Sequence, residues 1–318
     1  MVVCKTKKSA ELLGRIEDHN TYISYYINKG RYQKSLIKDT SNWNQICSSL
    51  DAVKDTLVAI YGFMETDFPE NLGVKYIYPY GILQLLFVQQ DAVQHLAEAF
   101  KIEFIRPDSF KTIRHIRNKS IGHPTNKRNK DGTTHHFIDR HSIKKDGFTI
   151  LNGMPKGEYE SEKVSIPSLI YDQLVEVERI CSQIAEELRE TDKMHKKTHK
   201  ERQLENTFHS NMNYYFGKVA EAIGGKNVEL GITLLISIRA SYESFGEVLL
   251  ERNELDDHIK SDLDEYRHAI SKLEGYLETE EETIPEMDAR IYHFYICERH
   301  KHFIKIAREI DKEYAAEE

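Results

Sequence analysis

Apolar residues return every three or four positions through most of this chain, and that spacing commits it to a helical fold. In SNWNQICSSLDAVKDTLVAIYGFMETDF, Trp43, Ile46, Leu50, Val53, Leu57 and Ile60 fall on one helix face, with Ser41 or Asn42 placed to cap it. YPYGILQLLFVQQDAVQHLAEAF is apolar around most of its first half, which suits a central, well-buried helix. Gln84, Gln89, Gln90 and Asp91 are its polar exceptions. RPDSFKTIRHIRNKSIG starts at an Asp108 or Ser109 cap, turns Phe110, Ile113, Ile116 and Ile121 inward and closes on Gly122. With 7 Pro and 16 Gly spread thinly, a turn-dense β protein is disfavoured.

From Thr134 the period changes. HHFIDRHSI, KKDG and FTILNG read as a β-hairpin turning at Asp146-Gly147, with EKVSI as a third strand and HPTNKRNKDGTT as the loop before it. SIPSLIYDQLVEVERICSQIAEELRE returns to helix. The chain is thus expected to be mainly α, a helical bundle with a small inserted β-hairpin or sheet, followed by a second all-helical domain. Residues 1–40 read as an N-terminal extension, 41–190 as the bundle with its insertion near 133–166, and 191–202 as a basic linker. Residues 203–318 read as an acidic domain with helices near 203–223, 226–252, 255–278 and 285–313. Residues 251–290 hold 14 acids against 5 bases.

The longest apolar stretch, Ile82 to Val88, is interrupted by Gln84 and too short to span a bilayer. MVVCKTKKSAELL lacks an apolar signal core, so a cytoplasmic, membrane-free location is expected. Cys4, Cys47, Cys181 and Cys297 lie far apart with no C-x-x-C pair, which disfavours a zinc ribbon or disulfide framework and points to reduced, buried thiols.

Against a formal net charge of -8, the segment from Ser109 to Lys130 carries seven Lys or Arg and no Asp or Glu. A basic focus in an acidic chain is a local anion site, with a solvated helix face as the alternative. Within it, RHIRNKSIGHPTN sets His123 between Gly122 and Pro124, just past the expected helix end. The partial negative charge there favours the imidazolium, and Arg117 adds a permanent cation suited to phosphate.

Arg117, Asn118 and His123 match Arg, a polar residue, four more residues and then His. At these residues, and over roughly 40–190, the chain resembles the HEPN family, the higher eukaryotes and prokaryotes nucleotide-binding domains. That resemblance implies a homodimer in which both motifs meet across a two-fold axis, and metal-independent RNA cleavage of the kind found in toxin-antitoxin and antiviral systems. Other members have lost catalysis and only bind. The family's signature, Arg followed after four to six residues by His, is also met at Arg128/His135, Arg189/His195, Arg202/His209 and Arg252/His258. RNELDDH repeats even the Arg-Asn start, but Glu254, Asp256 and Asp257 would repel a phosphodiester.

Six helical residues turn about 600°, leaving Arg117 and His123 roughly 120° apart on an unbroken helix. A break at Gly122 or a second chain must therefore complete the pair. The expected chemistry is attack of a ribose 2′-hydroxyl on its own phosphate, with paired His123 residues as base and acid, Arg117 on the non-bridging oxygens and Asn118 orienting the substrate. Arg114, Lys119, Lys127, Arg128 and Lys130 would line the RNA path, and Gln90 and Asp91 would orient the Arg117 helix. No metal or cofactor is called for; His135, Asp139 and His141 read as the solvated face of a strand. RNA, a second copy and an antitoxin or regulatory protein are the expected partners. The alternative is a non-catalytic HEPN-like module that binds nucleotide, RNA or protein.

Overall fold

The computed structural model describes residues 2–122, 127–129, 132–153, 159–278 and 284–315, with backbone alone for 2–6, 127–129 and 132–134. Among these, ten α-helices and a small antiparallel sheet form two compact units, Met1–Asn28 with Ser35–Arg189, and Lys29–Lys34 with Glu190–Glu318. No helix is long and apolar enough to cross a membrane.

In the first unit, α1 (Val2–Asn28) packs on α3 (Thr40–Glu65), α3 on α4 (Leu72–Ala99) and α4 on α5 (Asp108–Arg117). Most of α6 (Ile166–His199) completes this bundle. The predicted face of α3 is buried at Ile46, Leu50, Val53, Leu57 and Ile60, while Trp43 is half-buried. Its cap is Asp39, which accepts from the Asn42 backbone N–H at 3.0 Å, two residues earlier than Ser41. The carboxylate there also faces the positive end of the helix dipole.

Residues 1–40 are not an extension. Leu12, Ile16, Ile23 and Ile27 of α1 are buried, and this 4-7-4 rhythm was obscured by the charged residues and tyrosines between them. Gly14, in the middle of α1, has nothing within 4 Å of the place its Cβ would occupy. Alanine there would favour the helix by about 1 kcal/mol.

Strands β1 (Lys127–Asn129), β2 (Gly132–Ile138), β3 (Gly147–Gly153) and β4 (Tyr159–Ser165) run antiparallel in that order. Ile138, Phe148, Ile150 and Val164 are buried, whereas Phe137 and Tyr159 stack edge-on at 5.8 Å on the exposed side. The insertion thus begins at Lys127 rather than 133, because part of the expected loop pairs back on Gly132–Thr134. Strand β2 stops at Ile138. Asp139 turns the chain, its Oδ1 accepting from the His141 backbone N–H at 3.1 Å, so His135, Asp139 and His141 do not share a strand face. Cys47, Cys181 and Cys297 are unpaired thiols, and Cys181 is fully enclosed.

The second unit holds α7 (Met212–Ile223), α8 (Val228–Glu251), α9 (Asp257–Glu278) and α10 (Glu286–Ala315), with a short 3₁₀ turn at Glu205–Thr207 where the first helix was expected to begin. Nor is 191–202 a linker, since α6 stays helical to His199 and Asp192 is 1% exposed. On α2 (Gly30–Ile37), Arg31 donates to Asp192, Glu254 and Glu313, and the Tyr32 hydroxyl donates to Asp192 at 2.7 Å. Burial raises the Asp192 carboxyl, but Tyr32, Arg31 and Lys29 outweigh it and hold the group below the usual carboxylate range. A charged residue can be a core residue when its charge is met.

The apolar core beside this cluster encloses one imidazole. His300 is 8% exposed, ringed by Phe208 and Phe216, and its Nδ1 shares a hydrogen bond with the Tyr242 hydroxyl at 2.7 Å. Burial pulls its pKa down to about 4. The folded state therefore binds fewer protons than the unfolded chain below the free-histidine value, and acid favours unfolding. His300 should cost this unit roughly 3 kcal/mol between about pH 6.5 and 4. In denaturant titrations across that window, His300→Phe should flatten the fall in stability; an unchanged slope would show that His300 does not titrate as buried.

Candidate functional site

The basic segment leaves α5 through an unusual turn. After Arg117 the helix widens into a π turn, Asn118–Gly122, whose i to i+5 bonding stacks Gly122 over Arg117. A Cβ on Gly122 would lie 2.8 Å from Arg117 Nη1 and 3.0 Å from Asn118 Oδ1. The glycine is there for close approach and not for a left-handed stop, because the positive-φ glycine among the described residues is Gly225. This corrects the expected C-cap.

Arg117 Nη2 donates to Gln84 Oε1 at 3.0 Å and Nη1 to Asn118 Oδ1 at 3.2 Å. Its guanidinium carbon lies 4.8 Å from the Phe87 ring centroid, and its Nε is buried without a hydrogen-bond partner. No carboxylate pairs with it among the described residues. One turn back, Arg114 leans on the same ring at 4.2 Å. Its charge is met, since it donates to Gln90 Oε1 at 2.9 Å and pairs with Asp91.

Gln90 belongs to a buried chain of polar side chains. Its Nε2 donates to Gln173 Oε1 at 2.8 Å, and Gln173 Nε2 donates to Gln89 Oε1 at 2.8 Å and to the Leu86 carbonyl at 2.9 Å. Gln89 Nε2 then donates to Thr56 Oγ1 at 3.1 Å. All four are at most 2% exposed, so each bond satisfies a group that water does not reach.

Lys119 turns away from Arg117 and pairs with Glu162 on β4 at 2.7 Å. Burial raises the Glu162 carboxyl, yet Lys119, Asn152 and His115 together keep it below its ordinary range. Asn152 Oδ1 in turn meets His136 Nδ1 at 2.8 Å, and His136 Nε2 is enclosed without a partner.

Arg117 and Asn118 are therefore joined, with Arg114, Gln90 and Asp91 bracing the same helix, while Lys119 is committed to the sheet. Lys127 and Arg128 lie on β1; His123 and Lys130 lie outside the described residues. Gln84 and Phe87, the other two supports of Arg117, were hidden in the sequence: one stood as an exception in an apolar run and the other as part of it. Among the described residues no group of three or more His, Cys, Asp or Glu is arranged to hold a metal.

The competing Arg252 has a different setting. It is 1% exposed, bonds Asp311 at 2.8 Å and stacks 3.8 Å over Tyr314, so its charge is matched and shut in. The chain matches no protein-family model, no curated protein and no solved structure.

Replacing Arg114 by Ala strips a donor from buried Gln90 and a partner from Asp91, and should destabilise the first unit by about 2 kcal/mol. Lysine, a point charge in place of a fork, should restore little. The check is the denaturant midpoint at constant m-value; a wild-type midpoint in Arg114→Ala would mean the brace carries no weight.

Proposed function

We propose that this chain is a metal-independent endoribonuclease of HEPN type, with Arg117, Asn118 and His123 as its working residues and a homodimer as its active form. The observation that carries the reading is the partnership of Arg117. Its hydrogen bonds go to the neutral amide oxygens of Gln84 and Asn118, whereas Arg114 and Arg252 are matched by carboxylates. An arginine oriented by amides keeps its full charge for a phosphate. His123 follows the glycine that folds over that guanidinium.

In this reading one His123 removes the proton from a ribose 2′-hydroxyl, whose oxygen bonds to the adjacent phosphorus. The bond to the 5′ oxygen breaks as the second copy's His123 delivers a proton to it. The products are a 2′,3′-cyclic phosphate and a 5′-hydroxyl. Arg117 holds the negative charge that builds on the non-bridging oxygens. DNA lacks the internal nucleophile and should survive. A role as a toxin or antiviral effector, with a neutralising or regulatory protein, accords with such chemistry.

In EDTA, His123→Ala and Arg117→Ala should each lower RNA cleavage by about a hundredfold or more with circular dichroism unchanged. Gly122→Ala should also impair cleavage while leaving the fold intact, because its methyl displaces a guanidinium at the free end of a flexible side chain. His258→Ala should stay within a few fold of wild type. A folded His123→Ala protein with full activity, or strict dependence on a divalent metal, overturns the mechanism; RNA binding without cleavage by wild type would favour the non-catalytic module.

A further inference from the structure

The surface that holds Arg117 continues along α4. Ile77, Tyr80, Gln84, Phe87 and Asp91 recur at intervals of three and four and so share one face of that helix. Helix α5 occupies the later part of this stripe: Arg114 leans on Phe87 and pairs with Asp91, and Arg117 reaches Phe87 and Gln84. But α5 ends at Arg117. Beyond it the same stripe stays open, with Tyr80 44% and Ile77 64% exposed.

Four observations give this open end a chemistry. Tyr80 stands one turn of helix, about 6 Å, before Gln84, a step that a single nucleotide bridges from phosphate to base. Tyr76, a turn earlier still, meets the Tyr80 ring edge-on at 6.3 Å and braces it. Gly81 has nothing within 4 Å of the place its Cβ would occupy, which leaves room against the helix beside that ring. No residue from Tyr76 to Gln90 is charged, so the stripe offers an uncharged, flat group an apolar bed. Tyr78, by contrast, is used for packing: its hydroxyl donates to the Asp67 carbonyl at 3.2 Å and its ring meets Phe63 and Phe68. An exposed tyrosine alone is ordinary. One that shares a helix face with the support of an arginine no carboxylate answers supplies a π face beside a cation, the two parts that a nucleotide's base and phosphate require.

We propose that Tyr80 stacks the base of the nucleotide whose phosphate Arg117 holds, and that the chain therefore selects unpaired RNA. In a duplex each base face is already covered by its neighbours, whereas a base in a loop or single strand can turn out onto an aromatic ring. Every base has such a face, so Tyr80 selects strand state and not sequence. The choice of RNA over DNA rests on the ribonuclease reading; the stacking is read by binding alone.

The probe is a fluorescein-labelled single-stranded oligodeoxynucleotide, which carries bases and phosphates but no 2′-hydroxyl, so that it binds the full-length chain without being cut. Tyr80→Ala should bind it about tenfold more weakly than wild type, with circular dichroism and sedimentation unchanged. Tyr80→Phe, which keeps the ring, should stay within about twofold. An abasic strand of equal length should bind wild type about tenfold more weakly than the base-bearing strand and should not distinguish wild type from Tyr80→Ala. Arg117→Ala should weaken both strands and flatten the salt dependence. Gly81→Glu, which sets a carboxylate in the open space, should also weaken the base-bearing strand. Wild-type affinity in Tyr80→Ala, an equal loss on the abasic strand, or a loss that follows altered self-association overturns the stacking site, whether or not RNA is cleaved. Tyr80-dependent binding by a protein that cuts no RNA supports the stacking site and overturns the ribonuclease. A wild type that binds no oligonucleotide overturns both.

Discussion

The buried chain from Thr56 through Gln89, Gln173 and Gln90 to Arg114 is the constraint on which the first unit depends. Apolar contacts alone tolerate sliding, because one methyl group replaces another at modest cost. A string of enclosed amides does not. Shift α4 by one residue and several donors and acceptors lose partners together, each at about 1–3 kcal/mol. The string crosses α3, α4 and α6 before reaching α5, so it fixes one register for the four helices. Arg117 inherits that order: it sits one turn beyond Arg114 and over the same Phe87 ring.

Most of this architecture was legible wherever period and polarity told one story. Ile46 to Ile60 announced α3, the apolar run through Val88 announced a central helix, and the hairpin and its third strand were readable from alternation. The site was legible in part. Gln90 and Asp91 stood out as polar residues on a buried helix, and they meet the helix that bears Arg117, although at Arg114. What escaped depended on partners distant in sequence. Nothing near Lys119 in the chain points to Glu162, and nothing near Asp192 points to Arg31. The π turn escaped for another reason: a glycine at a helix end has the same spelling whether it permits a left-handed stop or a guanidinium overhead.

Charge counting along the chain gave the sign of each region but not its field. The cationic stretch loses Lys111 to Asp108, Arg114 to Asp91 and Lys119 to Glu162, and two of those acids come from other elements. The acidic second half spends Asp192, Glu254 and Glu313 on Arg31, and Asp311 on Arg252. What remains of a charge cluster after folding is the part that its neighbours have not answered, and among the described side chains of this stretch the Lys or Arg without a carboxylate partner is Arg117.

The π turn also changes what spacing means. Such a turn contains one residue more than the α turn it replaces, so Asn118–Gly122 is an insertion absorbed without a loop. Loss of a single residue from this stretch would let the helix close as ordinary α and rotate everything after it by about 100°. The interval between an arginine and a later histidine, counted in letters, is therefore a poor ruler. The helix type between them sets the angle, and two chains with different counts can present the same pair.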